Sequence, residues 1–460
     1  MAGLGAAGGV GCGDDGGDDG PCDPVANRGC SGGKVCEPAV EGDPICAAPL
    51  VVRGEVFDLD GGEPIVGARV VALDPNRAPV SAVATSDALG DYTLRVPATR
   101  NADGSVVGVD VTLRVDAAGY QAFPGPIRQA LPIATGSAVM DDGELVVASA
   151  LTTIGLLALP PGAGAGVIRG TADVPASRVG VLVVAEPSAG GAGATAIADR
   201  DGAFVLFNLS DGDYDVAAYA RGVSYAPGAA TLTAADRDAE VELDLDPGRA
   251  TSTVTGNINF ANAPVGTGTS VILVVESTFH ASTLRGESPP GLRVAVPKAS
   301  PAFTIEGVPE GRYVVLAGFE NDLLVRDPDR TQGGTDIVHV TVVGGDDLAL
   351  ATSFKVTDAL ATFGPGADGP EAVTAAPVLR FEDDAGEDHF VVEVHDAFGA
   401  LVWSKEIDKH TSDDPEVPYE GPLEPGMFYQ FRAVSYDADD VPLSTTEDLR
   451  GVFYYVPAAE

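Results

Sequence analysis

Cysteine is the residue type whose spacing in this 460-residue chain predicts chemistry most directly, and all five cysteines lie within the first 46 residues. The last four fall in a segment rich in Gly, Pro and Asp that has too little apolar surface for a core of its own. Such segments usually need cross-links, so we expect two disulfides with three possible connectivities. Zinc is the alternative, although the segment has no Cys-x-x-Cys pair and no histidine. The disulfide candidates are Cys22, Cys30, Cys36 and Cys46.

Cys12 lies outside that set, and its surroundings indicate a different chemistry. It ends an apolar, small-residue stretch at 1–12 and precedes a segment at 13–49 that starts as a Gly/Asp tether. This arrangement resembles the end of a bacterial lipoprotein signal peptide, in which such a cysteine is lipidated, although no Lys or Arg precedes the stretch. The resemblance implies an exported protein held at a membrane by lipid, and an unanchored secreted protein is the alternative.

Two acidic turns carry the oxygen ligands that Ca²⁺ prefers. Asp58 and Asp60 lie in the first turn, and Asp437 and Asp439 lie in the second. Neither turn fits the 12-residue calcium loop with its closing glutamate, and Asp and Gly also suit tight turns for backbone reasons. We therefore expect ordinary turns at both places, with Ca²⁺ as the one cofactor that the sequence suggests and no other metal.

The sequence lacks the motifs of the common enzyme classes. It contains no Gly-x-Ser-x-Gly elbow, no His-Glu-x-x-His, no phosphate-binding loop and no dinucleotide fingerprint. His389 and His395 share one face of a predicted strand, but they would lie about 20 Å apart, too far to share a metal. We expect no catalytic residues and a protein that is not an enzyme.

The formal net charge of −41 limits the possible partners. Like-charge repulsion disfavours phosphate backbones and anionic membrane surfaces, so we expect no nucleic-acid partner and no membrane contact beyond a lipid anchor. The longest apolar stretch, at 145–159, is interrupted by polar residues and is shorter than the ~20 residues of a membrane span. We expect a monomer.

A pattern that returns 99 residues later (303 − 204) predicts the architecture. Alternating apolar residues predict two strands, and the acidic residue and glycine between them predict a turn. A period of this length is too long for a solenoid and suits tandem β-sandwiches. The two copies are Phe204-x-Leu206-x-x-Leu209-x-x-Gly212-x-Tyr214-x-Val216 and Phe303-x-Ile305-x-x-Val308-x-x-Gly311-x-Tyr313-x-Val315.

Three segments also open alike, with a glycine inside an apolar strand. Each leads to a second apolar strand, and the continuous runs at 181–185 and 271–275 predict strands that are buried on both faces or lie at the centre of a sandwich. The glycine predicts a bulge or a close backbone approach. The opening segments are Val52-Arg-Gly54-Glu-Val56, Ile168-Arg-Gly170-Thr-Ala172 and Val254-Thr-Gly256-Asn-Ile258.

These motifs, with the Ala-x-Gly-Tyr that ends at Tyr120, resemble the carboxypeptidase regulatory-like domain, a transthyretin-like β-sandwich. The resemblance implies three such domains, at 50–160, 165–247 and 251–355, the third with an insertion at 277–300. It carries no catalytic residues, because the zinc ligands of such enzymes lie in a separate domain. Related sandwiches resemble starch-binding modules, which use exposed aromatic rings, but Tyr92, Tyr214 and Tyr313 occupy alternating positions that predict burial.

The segment at 372–460 differs from the three copies and resembles a fibronectin type III domain. Leu423-Glu-Pro-Gly-Met-Phe-Tyr429-Gln-Phe431 matches the Leu-x-Pro-Gly-x-x-Tyr signature of that family. In that fold, a tyrosine of this kind fixes the corner before a core strand.

Together, these features predict an all-β chain of tandem Ig-like or transthyretin-like β-sandwiches after a flexible Cys-rich N-terminus. We expect a non-enzymatic, lipid-anchored bacterial surface protein that serves as a structural or adhesive stalk, located at the outer membrane, the cell surface or the periplasm. A carbohydrate-binding module protein and an accessory subunit of a secreted hydrolase are the alternatives. The expected ligand is a polysaccharide or a surface protein, and the sequence indicates no particular residues that bind it.

Overall fold

The computed structural model describes residues 22–25, 27–125, 128–174, 180–281, 283–327, 337–409 and 414–457. Over these ranges the chain is almost entirely β-structure, arranged as tandem β-sandwiches, which confirms the predicted fold class. Three one-turn 3-10 helices interrupt the described strands, at Thr135–Ser137, Ala150–Thr152 and Glu276–Thr278.

The Cys-rich segment forms a small antiparallel sheet of β1 (Val35–Glu37) and β2 (Ile45–Ala47). It is packed against the first sandwich through a buried ion pair, in which Arg100 Nε lies 2.5 Å from Glu37 Oε2. The same guanidinium donates a hydrogen bond to the Ala48 carbonyl oxygen at 2.6 Å. The segment from Val35 onward is therefore attached to the body of the protein.

The next three sandwiches share one topology, which explains the repeated sequence motifs. In each, an opening strand pairs antiparallel with the strand that carries the repeated aromatic residue, and parallel with the closing strands. A continuous apolar strand lies inside the facing sheet, between two antiparallel neighbours.

The strands of the first sandwich are β3 (Leu50–Asp58), β4 (Arg69–Leu73), β5 (Ala84–Thr85), β6 (Asp91–Arg95), β7 (Asp110–Asp116), β8 (Ile133–Ala134), β9 (Val139–Asp141), β10 (Glu144–Val147) and β11 (Ile154–Leu156). Those of the second are β12 (Gly166–Ala172), β13 (Leu182–Pro187), β14 (Ala194–Ile197), β15 (Ala203–Leu209), β16 (Gly212–Tyr219), β17 (Gly228–Leu232) and β18 (Asp238–Leu243). Those of the third are β19 (Ser252–Phe260), β20 (Gly268–Val275), β21 (Arg293–Pro297), β22 (Ala302–Val308), β23 (Gly311–Ala317), β24 (Leu324–Arg326), β25 (Val338–Val342), β26 (Leu348–Ala349) and β27 (Phe354–Asp358).

The fourth sandwich has a different strand order, in which a three-stranded sheet faces a larger sheet of six strands. Its core contains Tyr429, whose hydroxyl accepts a hydrogen bond from the Glu424 amide at 2.9 Å. The strands are β28 (Thr362–Gly364), β29 (Glu371–Val373), β30 (Val378–Phe381), β31 (His389–Asp396), β32 (Leu401–Asp408), β33 (Glu416–Pro418), β34 (Phe428–Tyr436), β35 (Pro442–Thr445) and β36 (Val452–Tyr455).

The glycine of each opening strand lies opposite the repeated aromatic residue of the neighbouring strand. A β-carbon on Gly170 would overlap the Val241 carbonyl oxygen of the adjacent parallel strand, and one on Gly256 would lie 2.7 Å from the Phe303 ring. The glycine is needed because backbone and ring approach too closely for a side chain, one of the two roles that the sequence predicted. The three opposed pairs are Gly54 with Tyr92, Gly170 with Phe204 and Gly256 with Phe303.

We expect Gly170→Ala to lower the free energy of unfolding by about 1–3 kcal/mol, because the added methyl group must displace backbone rather than a side chain. Gly136→Ala is the control, since its β-carbon would make only an ordinary 3.5 Å contact. Urea unfolding monitored by circular dichroism measures both. Equal midpoints for the two variants would contradict the close-approach explanation.

The first three sandwiches pack against one another through the outer faces of their sheets. Leu182 and Val184 of β13 and Leu73 of β4 point away from their own cores, yet they are buried in one continuous cluster with the core of the third sandwich. The runs at 181–185 and 271–275 are buried throughout, which confirms that these strands are covered on both faces. Apolar burial thus holds the sandwiches together as well as folding each of them.

A buried ion network crosses the same region. Glu287 of the third sandwich lies between Arg77 and Arg114 of the first, at 2.7 and 3.3 Å. Arg114 also pairs with Asp116 at 2.8 Å and donates to the Thr195 carbonyl oxygen of the second sandwich at 2.7 Å. Burial alone would raise the pKa of Glu287, but the two guanidiniums outweigh it and lower the pKa. One side chain, Arg114, thereby contacts three sandwiches.

The insertion at 277–300 in the third sandwich contributes several contacts between sandwiches, and it reaches all three other sandwiches. An extended row in chain order would have contacts only between neighbours, whereas here the first sandwich also contacts the third and the fourth, the latter through Arg128 and the Phe398 carbonyl oxygen at 2.8 Å. The arrangement therefore differs from a linear row of beads. Besides Glu287, the insertion contributes the Ser277 carbonyl to Gly193, the Pro290 carbonyl to Arg221, Arg293 to Asp74 and Arg285 to Asp448.

We expect Glu287→Gln to lower the free energy of unfolding by about 3 kcal/mol, since it removes the carboxylate that pairs with half-buried Arg77 and leaves buried Arg114 with Asp116 alone. The wild-type contribution of Glu287 is fully present above its unfolded-state pKa and is lost as the pH falls through the lowered folded-state value. Calorimetry should show a lower unfolding temperature, with separate transitions for the released sandwiches.

The matched control is Glu306→Gln, which removes a carboxylate that lies 3.9 Å from Arg221 and is mostly exposed. Surface pairs of this kind contribute at most about 1 kcal/mol. Unchanged melting of the Glu287 variant would show that the network does not join the sandwiches.

Candidate functional site

Four of the predicted cysteines lie together in the structure. Cys22 is bonded to Cys36, and Cys30 is bonded to Cys46, in two adjacent disulfides. The sulfur atoms of Cys22, Cys30 and Cys46 lie within 4.8 Å of one another, but sulfur in a disulfide is not the thiolate that zinc requires. Cys12, the predicted lipidation site, lies outside the described residues.

The two predicted acidic turns use a carboxylate oxygen to close the turn. Asp58 Oδ1 accepts hydrogen bonds from the amides of Gly61 at 2.8 Å and Asp60 at 2.9 Å, and the Gly61 bond is the main reason why the pKa of Asp58 is lowered. Asp437 Oδ1 likewise accepts from the Asp439 amide at 2.9 Å. In the part of the chain that the structure describes, neither turn belongs to a group of three metal-ligating side chains. Calcium binding at these turns stays a prediction.

The same turn geometry recurs along the chain. In each case an aspartate Oδ1 accepts from the amides two and four residues further on, which replaces a backbone partner in a tight loop. The pattern gives a structural reason why many acidic residues lie at strand connections. The aspartates with both bonds are Asp74, Asp87, Asp199, Asp396 and Asp437.

The tyrosines of the repeated motif are buried, as predicted, and none of the three presents a ring to solvent. Each hydroxyl instead donates to a backbone carbonyl within its own sandwich. A glycan platform would have to use other aromatic residues. The three bonds run from Tyr92 to Thr152 at 2.7 Å, from Tyr214 to Ser210 at 2.9 Å and from Tyr313 to Pro309 at 2.9 Å.

A cavity of about 500 Å³ lies where the first, third and fourth sandwiches meet, and we call it the junction cavity. One wall is the outer face of the fourth sandwich, where alternate residues of β31 and β34 point into it, among them Glu393, Arg432 and Val434. The first sandwich contributes Leu73, and the third contributes residues 318–320 and 324–326. No sequence motif marks the junction cavity, because its walls come from three separate parts of the chain.

Arginine dominates the electrostatics of this cavity. Asp448, at its wall, is paired with two guanidiniums, Arg285 at 2.8 Å and Arg432 at 2.5 Å. Burial alone would raise the pKa of Asp448, but the two arginines lower it. Arg128 is buried over the Phe123 ring, with 4.7 Å between its guanidinium carbon and the ring centre. Ion pairs and ring contacts thus hold the positively charged guanidinium groups of the cavity in place.

A half-buried acidic group, Asp322, lies at the contact between the third and fourth sandwiches. Burial raises the pKa of Asp322 to about 7, and the nearby Glu447 and Glu320 carboxylates shift it in the same direction. The Leu323 amide, next in the chain, donates to Glu447 of the fourth sandwich at 2.7 Å. The charged form of Asp322 therefore weakens the folded state above neutral pH.

We expect Asp322→Asn to raise the unfolding temperature at pH 8 and to leave it nearly unchanged at pH 5. Because the folded-state pKa is raised, the penalty is fully present above about pH 7 and disappears as the pH falls towards the ordinary carboxylate range. Thermal melts of the two proteins at both pH values test this, with Asp201→Asn at an exposed turn as the control for loss of one charge. An equal effect at pH 5 and pH 8 would exclude ionisation of Asp322 as the cause.

Comparisons with known proteins add little to this picture. No family model and no curated protein matches the chain. Among solved structures, the shaft pilin of Lactobacillus rhamnosus GG is 14% identical over 44% of this chain and 98% of its own, with a TM-score of 0.18. A minor pilin of Streptococcus agalactiae is 11% identical over 44% of this chain and 99% of its own, with a TM-score of 0.19. TM-scores this low do not establish a shared fold, so the fold is assigned from the sheet topology of this chain. No helix among the described residues is long and apolar enough to cross a membrane.

Proposed function

We propose that this chain is a non-enzymatic, exported bacterial surface protein with a structural or adhesive role, attached through a lipid on Cys12. The observation that carries the proposal is the pair of disulfides, Cys22–Cys36 and Cys30–Cys46. Structural disulfides form and persist in oxidising compartments outside the cytoplasm. The buried contact of Glu37 with Arg100 supports a structural role for this segment, because it joins the cross-linked piece to the first sandwich.

The packing of the sandwiches supports a rigid presenting body. Face-to-face burial and the Glu287 network link domains that are distant in the sequence, so a force applied at one end is carried by several contacts. The many exposed carboxylates of a chain with net charge −41 keep such a body hydrated. In this proposal the Gly/Asp-rich residues after Cys12 link the lipid anchor to the sandwiches and set their distance from the membrane. The partner is a polysaccharide or a surface protein.

The first experiment addresses the anchor, with full-length chain expressed in a Gram-negative host that is fed an alkyne fatty acid. We expect the wild type to be labelled and to sediment with membranes, and Cys12→Ser to be unlabelled and in the soluble fraction. The double variant Cys30→Ser/Cys46→Ser is the matched control, because it removes two cysteines, which form one disulfide, without changing Cys12, and it should stay labelled. Absence of label from the wild type would disprove the lipid anchor.

A second experiment addresses the exported state and the adhesive role. Alkylation without reducing agent should modify none of the four cysteines from Cys22 to Cys46, and reduction should expose all four. Full-length protein coupled to beads should then retain cells or surface polysaccharide of the source organism, whereas beads carrying heat-unfolded protein should not. Free thiols in protein isolated from the host envelope would count against export, and equal retention by both bead types would count against adhesion.

A further inference from the structure

The geometry points to a second role for this protein, which is independent of the proposed surface function. We propose that the junction cavity binds a small organic anion, with a carboxylate or phosphate group held by arginines and a less polar portion against the apolar wall. The inference rests on the charge, the composition and the size of the cavity.

The charge of the junction cavity is opposite to that of the protein. The chain has 68 acidic residues against 27 Lys and Arg, yet five of those basic residues line this one cavity against three acidic ones. Arg77 and Glu320 have ion-pair partners outside the lining, and Arg326 has a contact of its own. The other lining groups are Arg128, Arg285 and Arg432 against Glu393 and Asp448, a local excess of one positive charge (3 − 2). An excess of arginine in so acidic a protein concentrates anions locally. The arginines are Arg77, Arg128, Arg285, Arg326 and Arg432, and the acids are Glu320, Glu393 and Asp448.

Three of these arginines, Arg128, Arg285 and Arg432, are fixed in place by contacts that leave positive charge in excess. Arg285 and Arg432 share the single carboxylate of Asp448. Arg128 donates to the carbonyl oxygens of Gly155 and Phe398, both at 2.8 Å. Guanidinium groups held in this way are ready to bind carboxylate or phosphate, because the entropy of ordering them has already been spent in folding.

The remaining walls suit a ligand with a less polar body. Leu73, Phe319 and Val325 line the side formed by the first and third sandwiches, and Val391 and Val434 line the opposite wall. Apolar walls with a few convergent charged groups are typical of small-molecule sites, and a volume of about 500 Å³ lies within their usual range. Since three sandwiches form the cavity, a ligand that binds there would also stabilise their association.

Calorimetric titration of the full-length protein at low ionic strength tests this proposal, with glucuronate and inorganic phosphate as probes and glucose as the neutral control. We expect at least one anion to bind saturably with one site per chain and to raise the unfolding temperature, and glucose to do neither. Binding of glucuronate alone indicates a carboxylate ligand, and binding of phosphate alone indicates a phosphate ligand.

Two variants locate the site. Val434→Phe should fill the cavity and abolish binding without changing any charge, and Arg285→Gln should weaken binding by about tenfold. Arg169→Gln is the matched control, because it removes one exposed arginine in the second sandwich and should leave binding unchanged. If Arg285→Gln fails to fold, Val434→Phe decides the question. No saturable anion binding to the wild type, or unchanged binding to Val434→Phe, would overturn the proposal.

Discussion

The arrangement of the first three sandwiches depends on one buried carboxylate. Glu287 is held between Arg77 and Arg114, and removal from water would be costly for all three groups if any partner were missing. The cost is offset because Arg114 also reaches Asp116 and the Thr195 carbonyl of the second sandwich. Such a network of close ion pairs tolerates little displacement, and it therefore favours one relative position for three domains that apolar packing alone would leave freer to slide.

Two structural demands act on the same strands. Inward residues of the continuous apolar strands fill each core, while outward residues such as Leu182 and Val184 cover a neighbouring sandwich. A further constraint acts on the opening strands, where the neighbouring aromatic ring and the parallel closing strand leave no room for a side chain at Gly170. Together, these constraints explain why the repeat keeps glycine, aromatic and apolar positions while its polar residues vary between copies.

Sequence patterns predicted what is local. Period-two alternation identified the strands, and the same alternation placed Tyr92, Tyr214 and Tyr313 in the cores. The relative arrangement of the sandwiches could not be predicted, because it depends on an insertion whose contacts reach all the other sandwiches. The arginines of the junction cavity stand at alternate or loop positions that are normally solvent-exposed, so Arg432 gave no signal of its own. The disulfide connectivity was also beyond the sequence, since all three pairings of four cysteines satisfied the spacing.

The Arg114–Glu287 pair also sets an order of events during synthesis. Its two residues are separated by 173 positions (287 − 114), so both of the first two sandwiches have been synthesised before Glu287 is added to the chain. Contacts of such long sequence separation form late, because closing a long loop costs entropy before the contact repays it. A chain synthesised from its N-terminus would thus pass through a stage in which Arg77 and Arg114 lack Glu287 as an ion-pair partner. Folding of the third sandwich would end that stage.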